Sequence, residues 1–248
     1  MRDSYKQLII KAFLFIGLST AILLPTLSPE AEARKPIRWR AKRIVVVDPG
    51  HGGPESGSRG PAGVLEKDVT LELARQIETA LKGRIKVELT RTDDYGLDII
   101  RRTDAANHLK ADVFVSIHTG GSFRSNPRAM SVFYFREGRS TTPARSSVDK
   151  NDWDRLQLKH AEQSRILAKS LQTHLQQAVP NIDCQIEAAP LLVLRGADMP
   201  SVLVEVGTLT NKEEEKRLNT DEHLRLLSRA IADGIHGFLR TVSKGSDQ

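Results

Sequence analysis

The sequence predicts a single α/β domain built on a mostly parallel, twisted sheet of about six strands with helices on both faces. Short runs of β-branched residues alternate with longer amphipathic segments, which is the pattern of a parallel sheet with crossover helices. The 248 residues are 39% hydrophobic and 27% charged, which is enough apolar material for one sizeable core. We found no internal repeat and no coiled-coil heptads.

The first half of the chain begins with a buried strand that passes into a glycine-rich loop. Residues 43–47 are mostly β-branched, Asp48-Pro49-Gly50 ends the run, and the loop continues to about Gly63. A helix is predicted from residue 69 to Gly83, because apolar residues recur at every fourth position and Asp68 stands as the N-cap. The elements that follow are a half-buried strand at 85–89, a helix at 97–110 and a buried strand at 113–117.

The second half continues the same alternation of strands and helices. Leucines spaced by four residues predict a long helix at 153–179, which Pro180 ends. The other predicted elements are strands at 130–135, 190–194 and 201–206, and amphipathic helices at 212–218 and 222–242.

The ends of the chain and one internal segment are set apart from this domain. Basic residues near the N-terminus precede an uncharged apolar run and then Ala31-Glu32-Ala33, which is the pattern of a cleaved signal peptide. An uncleaved N-terminal anchor is the alternative. The predicted segments are a signal peptide at 1–33, a basic linker at 34–42, a catalytic domain at 43–242 with a flexible polar insertion at 137–151, and a tail at 243–248. We therefore expect an exported protein, in the periplasm or cell-wall space, with no membrane attachment once the leader is removed.

Charge and cysteine content narrow the function classes. The formal net charge of +6 suits an anionic partner, although a solvated basic surface would carry the same charge. Nucleic acid is disfavoured as that partner, because the protein is expected to be exported and has no motif of interleaved aromatic and basic residues. The single cysteine, Cys184, excludes an internal disulfide and is expected to be a buried thiol. No Gly-x-Ser-x-Gly motif occurs, so nucleophilic catalysis lacks support.

Four side chains that can bind a metal or transfer a proton come from separate places in the sequence. His51 lies between glycines directly after the first strand, His118 ends the strand at 113–117, and Glu205 lies inside the last strand. Glu66 precedes the first helix. Because ligands of open α/β sheets bind at the carboxyl ends of the strands, these four side chains are expected to converge there.

Two histidines and one carboxylate form the ligand set of a catalytic zinc, which keeps a fourth position open. Zinc lowers the pKa of bound water to about 7 and polarises a carbonyl oxygen. Glu205 would then be the general base, which takes a proton from water and passes it to a leaving nitrogen. Taken singly, His51 has an ordinary structural interpretation, Glu66 that of a helix cap and His118 that of a hydrogen-bonded strand end. Glu205 is the strongest of the four, because a carboxylate inside an apolar strand is costly to bury without a partner.

The blocks around these residues resemble the zinc-dependent N-acetylmuramoyl-L-alanine amidases of the amidase-3 type. The resemblance covers residues 43 to about 239, and its blocks occur in the order of that family. They are Val47-Asp48-Pro49-Gly50-His51-Gly52-Gly53, Gly63-Val64-Leu65-Glu66-Lys67-Asp68-Val69, Leu89-Thr90-Arg91-Thr92 with Arg102 and Ala106-Asn107, Ala111-Asp112-Val113-Phe114-Val115-Ser116-Ile117-His118, and Pro200-Ser201-Val202-Leu203-Val204-Glu205-Val206-Gly207.

The resemblance implies that His51, Glu66 and His118 hold Zn²⁺ and that Glu205 is the catalytic glutamate. It also implies cleavage of the amide between the lactyl group of N-acetylmuramic acid and L-alanine of the peptidoglycan stem peptide. Further candidates, either for binding substrate or for supporting these residues, are Asp48, Arg91, Asn107 and Arg195. The expected partners are peptidoglycan and a protein activator, and the expected oligomeric state is a monomer.

Two positions depart from the pattern of the family. Thr119-Gly120-Gly121 follows His118, where the family usually has a small residue and then Asn or Asp, and Thr208 stands where an aromatic residue is common. We interpret both as changes at the substrate groove. Two alternatives stay open at this point: a zinc hydrolase of another wall amide or peptide bond, and a peptidoglycan-binding protein with weakened catalysis.

Overall fold

The computed structural model describes residues 42–83, 85–120, 129–137 and 156–245. The strands are β1 (Ile44–Pro49), β2 (Lys86–Leu89), β3 (Val113–Gly120), β4 (Met130–Phe135), β5 (Cys184–Ala189) and β6 (Ser201–Thr208). The helices are α1 (Glu66–Leu81), α2 (Ile99–His108), α3 (Ala161–Ala178), the single turn α4 (Leu192–Arg195), α5 (Lys212–Leu218) and α6 (Asp221–Gly245). A 3-10 turn, Gln157–His160, leads into α3.

All six strands form one sheet in the order β2-β1-β3-β6-β4-β5. Neighbouring strands run parallel except at β4, which pairs antiparallel with β6. The parallel strands β1, β3 and β6 therefore deliver their carboxyl ends to one edge of the sheet, where open α/β sheets bind their ligands. The predicted fold class, a mostly parallel sheet of about six strands with helices on both faces, is confirmed.

The two faces of the sheet carry separate cores. Side chains that alternate along each strand, such as Val45 and Val47 of β1, pack against α1, α3 and α6. The intervening residues, such as Val46, pack against α2 and α4. We call these the α1 face and the α2 face. Helices thus cover both faces, and within the described ranges the α2 face carries a ten-residue helix and a single turn.

Three element predictions were wrong in type or bounds. The strand predicted at 190–194 is instead the turn α4, and the edge strand β5 lies just before it. An apolar run of five residues does not distinguish a strand from a helical turn, and Pro190 ends β5 because proline cannot donate to the sheet. The first helix begins at Glu66, and its N-cap is Leu65 and not Asp68. The last helix, predicted at 222–242, runs from Asp221 to Gly245.

Several predictions fall partly or wholly outside the described residues. They are the signal peptide at 1–33, nearly all of the linker at 34–42, the insertion at 137–151 beyond its first residue, and the start of the helix at 153. Among the helices that the structure does describe, none has the length and apolar character needed to cross a membrane.

Candidate metal centre

The register of the sheet places His118 beside Glu205. The two residues are direct partners across β3 and β6. Each lies an even number of positions from a buried residue of the α2 face, Phe114 on β3 and Leu203 on β6. Because side chains alternate along a strand, both His118 and Glu205 project on the α2 side of the sheet. Both are half-buried.

His51 reaches the same edge from a strained loop. Its φ is 61°, a left-handed conformation that is uncommon for a residue with a Cβ and costs of order 1–3 kcal/mol. The Arg102 guanidinium holds this backbone in place, donating to the carbonyl oxygens of His51 at 2.9 Å and Pro49 at 2.8 Å. A second buried arginine, Arg91, donates to the carbonyls of Pro49 at 3.0 Å and Gly50 at 2.8 Å. Two arginines from other elements therefore fix the loop that carries His51.

A buried carboxylate compensates the charge of Arg102. Asp48, which is fully buried, accepts from Arg102 at 2.9 Å and from Ser116 at 2.7 Å. Thr90 donates to the same carboxylate. A buried charge is tolerated only when it is paired and hydrogen-bonded, and Asp48 meets both conditions. Asp48 therefore anchors the end of β1 to α2 and β3.

Glu66, the first residue of α1, is buried between the two histidines. Its Oε1 lies 3.0 Å from His118 Nδ1 and 3.2 Å from His51 Nε2, and it accepts from the Thr119 backbone N–H at 2.9 Å. Its Oε2 accepts from the Ser58 N–H at 2.8 Å. Burial alone would raise the pKa of Glu66, but the hydrogen bonds from His118 and His51 outweigh it, and the pKa lies well below its usual range. Glu66 is therefore ionised at neutral pH, as a metal ligand must be.

These three side chains fit a metal ion. One ligand atom from each of His51, Glu66 and His118 lies within 4.8 Å of the others, and the imidazole rings meet edge to face at 4.9 Å between centroids. Gly57 lines the cluster at a φ of +66°, and a Cβ there would come within 2.5 Å of the His51 ring. A Cβ at Gly50 would come within 2.4 Å of the His118 ring. The glycines therefore leave space for the two imidazole rings that a larger residue would fill. Two nitrogens and one carboxylate oxygen match the donors of a catalytic zinc.

Sequence reasoning missed Glu55, whose Oε1 lies 2.8 Å from His51 Nδ1 and can accept a hydrogen bond from that nitrogen. A metal-binding histidine commonly donates its second ring nitrogen to a carboxylate, which fixes its tautomer and orientation. Burial alone would lower the pKa of His51, but Glu66 and then Glu55 outweigh burial and raise it. A carboxylate four residues after a glycine-flanked histidine was the available signal.

Glu215 on α5 was also missed. Its carboxylate is buried and accepts from the backbone N–H groups of Ala62 at 2.7 Å and Val64 at 3.1 Å. It thereby secures the loop that leads to Glu66. The segment Lys-Glu-Glu-Glu-Lys looks like an exposed helix surface in the sequence, so nothing there distinguished Glu215 from its neighbours.

The four further candidates lie at different distances from this centre. Asp48 and Arg91 lie buried beneath the His51 loop and face backbone and side-chain groups of the protein, which gives them a supporting place. Asn107 binds the backbone of the segment after α4, donating to the Gly196 carbonyl and accepting from the Asp198 N–H, each at 2.8 Å. Arg195 is exposed on α4.

Comparison with known proteins gives consistent matches. A family model described as N-acetylmuramoyl-L-alanine amidase matches residues 45–237. The N-acetylmuramoyl-L-alanine amidase AmiC of Escherichia coli is 30% identical over 218 residues, which are 79% of this chain and 52% of AmiC. AmiA of Escherichia coli strain K12 is 31% identical, with 78% of this chain and 75% of AmiA covered. The chain thus spans about half the length of some curated relatives that it matches.

A solved structure agrees with these matches. The catalytic domain of CwlV, an N-acetylmuramoyl-L-alanine amidase from Bacillus (Paenibacillus) polymyxa var. colistinus, is 31% identical. It superposes with a TM-score of 0.67 and covers 80% of this chain and 98% of its own. Four fifths of this chain therefore have a counterpart in a protein of known structure.

Proposed function

The chain belongs to the N-acetylmuramoyl-L-alanine amidase family, and on that basis we propose that it is an exported zinc hydrolase of peptidoglycan. It cleaves the amide bond between the lactyl group of N-acetylmuramic acid and L-alanine of the stem peptide, in cell-wall remodelling or daughter-cell separation. The observation that carries this proposal is the convergence of His51, Glu66 and His118 on one point, with Glu205 on the neighbouring strand.

His51, Glu66 and His118 would hold the zinc, which supplies a Lewis acid for the carbonyl oxygen and lowers the pKa of water. Glu205 takes the proton from the attacking water and delivers it to the amide nitrogen as the C–N bond breaks. The products are a lactyl carboxylate and a stem peptide with a free amino terminus. Glu55 holds the His51 ring through Nδ1, so that Nε2 stays directed at Glu66.

We propose export on the predicted leader at 1–33, with the protein acting in the periplasm or cell-wall space. The mass of the protein recovered from outside the cytoplasm tests this, because removal of the leader would leave a chain that begins after Ala33. The formal charge of +6 would help to hold the protein on an anionic wall. Its release from wall fragments should then rise steeply with salt, since counterions screen exposed charges within about 10 Å at 0.1 M.

The bond is tested by mass spectrometry of soluble products after digestion of purified peptidoglycan. The samples are wild type, Glu205→Ala, an EDTA-treated wild type and the control Glu72→Ala, which changes an exposed glutamate of α1. We expect free stem peptides from the wild type and the control only. Release of peptides cut elsewhere in the stem would favour the alternative of a zinc hydrolase acting on another wall bond.

No release from folded, zinc-loaded wild type would refute hydrolysis by the chain alone. Two candidates would then remain, a binding protein with weakened catalysis and an enzyme that needs a protein activator. Addition of an envelope extract to the same assay separates them, because only the second would gain activity. Sedimentation tests the expected monomer.

A further inference from the structure

The carboxyl end of β6 contains a β-bulge directly after the candidate base. His118 of β3 pairs with Glu205 of β6, and the next pair is Gly120 with Thr208. Between these pairs β3 advances by two residues and β6 by three, so that β6 carries one extra residue. Gly207, which lies within this step, has a φ of +149°, a conformation that favours glycine. Bulges of this kind are common next to active sites, where they redirect a side chain.

The bulge brings the side chain of Thr208 to the space beside Glu205. In a regular strand, residues three positions apart project on opposite faces of the sheet. Here a Cβ added at Gly120 would lie 3.1 Å from Glu205 Oε2, 3.4 Å from the Gly207 carbonyl oxygen and 3.5 Å from Thr208 Oγ1. The carboxylate of Glu205 and the hydroxyl of Thr208 therefore border the same small space, next to a residue that has no side chain.

The hydroxyl of Thr208 is buried, and no hydrogen bond within the described part of the chain uses it. Thr208 is 2% exposed, and its Oγ1 has no partner there. A buried hydroxyl without a partner is costly, so its presence calls for an explanation. Because the hydroxyl is shielded from solvent, it can affect the reaction only through a neighbouring group. Glu205 is the neighbour that the proposed reaction uses.

From this geometry we propose that Thr208 is a positioning residue for Glu205, an inference that rests on the proposed function. The Thr208 hydroxyl donates a hydrogen bond to Glu205 Oε2, either directly or through one water that the Gly207 carbonyl also accepts from. A hydroxyl has one proton to donate and an ionised carboxylate only accepts, so the two groups are complementary. With Oε2 held in this way, Oε1 is the oxygen that faces the attacking water.

Gly120 provides the space in which the two groups meet. Its φ is not left-handed, so the backbone at this position does not itself require glycine. The Cβ of an alanine would nevertheless lie 3.1 Å from Glu205 Oε2, which is closer than an ordinary van der Waals contact. Gly120→Ala should therefore displace the carboxylate without straining the backbone, and it provides a second way to test the same contact.

The kinetic test measures kcat and KM for stem release from soluble peptidoglycan fragments, together with the zinc content of each variant. Thr208→Val keeps the shape of the side chain and removes the hydroxyl, whereas Thr208→Ser keeps the hydroxyl. We expect Thr208→Val to lower kcat about tenfold with KM and zinc content unchanged, because the interaction orients a reacting group and binds neither substrate nor metal. Thr208→Ser should keep most of the wild-type kcat.

Ser201→Ala is the matched control. Ser201 is also fully buried on β6, and its hydroxyl likewise has no partner within the described ranges, but it lies at the opposite end of the strand. Its removal should leave kcat unchanged. A wild-type kcat in Thr208→Val would overturn the proposal. If Thr208→Val fails to fold, Gly120→Ala decides the kinetic test, and an unchanged kcat in that variant would equally overturn it.

A crystal structure of the full, zinc-loaded chain at high resolution gives a readout that does not depend on turnover. We expect a hydrogen bond between Thr208 Oγ1 and Glu205 Oε2, direct or through one water. A structure without either link would overturn the proposal, whether or not the chain hydrolyses peptidoglycan. Failure of the proposed function has a different signature, the absence of stem release by wild type.

Discussion

The two faces of the sheet are built in different ways. The α1 face packs 32 buried hydrophobic residues of the described ranges under three long helices. The α2 face packs ten, under a short helix and a single turn. The α2 face has fewer buried apolar side chains, but it contains the buried ion pair of Asp48 with Arg102. His118 and Glu205 both project on this thinly covered side.

This difference in packing assigns most of the apolar stabilisation to the α1 face and the candidate catalytic side chains to the α2 face. Burial of apolar area stabilises the α1 face, at roughly 25 cal/mol per Å² removed from water. On the α2 face, directional hydrogen bonds fix the backbone at the sheet edge while the surface stays open. Substitutions on the two faces should therefore have different consequences for unfolding and for metal binding.

The largest effect on unfolding is expected from Arg102→Ala. It leaves the carboxylate of Asp48, which is fully buried, without its cationic partner, and loss of one member of a buried ion pair costs about 3–5 kcal/mol. It also releases the carbonyl of His51, so that zinc affinity should fall as well. Denaturant unfolding and zinc titration measure the two effects.

Arg101→Ala is the matched control for this change. Arg101 is the adjacent residue, with a side chain 75% exposed, and it approaches Asp98 only at 4.0 Å. We expect a change within about 0.5 kcal/mol and unaltered zinc affinity. Equal free energies of unfolding for the two variants would refute the importance of the buried pair.

A cavity on the α1 face should lower the free energy of unfolding without changing the affinity of the metal centre for zinc. Leu171→Ala truncates a fully buried leucine of α3 that packs against Gly234 of α6, and such truncations cost about 2–5 kcal/mol. The folded variant should bind zinc as tightly as wild type. A parallel loss of zinc affinity in Leu171→Ala would show that the two faces are coupled and would contradict the separation.

The same comparison explains which residues could be predicted from sequence. His118 and Glu205 belong to strands with a clear apolar pattern. That pattern predicts where each strand ends and therefore places both side chains at the carboxyl edge of the sheet. The neighbourhood of His51 could not be predicted, because its left-handed backbone depends on Arg91 and Arg102, which are 40 and 51 positions further along the chain. The hydrogen bonds from these arginines to the loop carbonyls are tertiary contacts, and sequence periodicity does not predict them.

The misassigned strand has a related cause. The sequence of β5, Cys-Gln-Ile-Glu-Ala-Ala, has only one β-branched residue, and it forms a strand because it pairs with β4 along its whole length. The more apolar run after Pro190 looked like the better strand, yet in the fold it forms the turn α4, which buries Leu194 in the core of the α2 face. Pairing with β4 therefore accounts for the strand β5, and burial of Leu194 accompanies the turn α4.

A smaller effect, a loss of zinc affinity, is expected from Glu55→Gln. The carboxylamide keeps the shape of Glu55 but loses the charge that supports His51, and loss of such a partner weakens metal affinity by about 10–100-fold. Competition with a fluorescent chelator measures it, and Glu72→Gln on α1 serves as the control. Zinc affinity equal to that of the control would remove Glu55 from the metal centre.

The smallest effect is expected from a thiol reagent on native Cys184, which lies in the core of the α1 face. Burial, followed by the nearby charge of Asp183, raises the pKa of its thiol to about 12, and the side chain is 2% exposed. The reactive thiolate is therefore scarce at pH 8, and a thiol reagent should label the native protein only at the rate of unfolding. Rapid labelling of folded protein at pH 8 would show that this face is not closed.

The central claim is that one edge of the α2 face holds a zinc through three residues and uses a fourth as the base. The most direct measurement determines zinc content and stem-peptide release together for two isosteric variants, Glu66→Gln and Glu205→Gln. We predict that Glu66→Gln loses both zinc and hydrolysis, whereas Glu205→Gln keeps one zinc per chain and releases no stem peptide. Hydrolysis at the wild-type rate by Glu205→Gln, or full zinc occupancy in Glu66→Gln, would contradict the assignment.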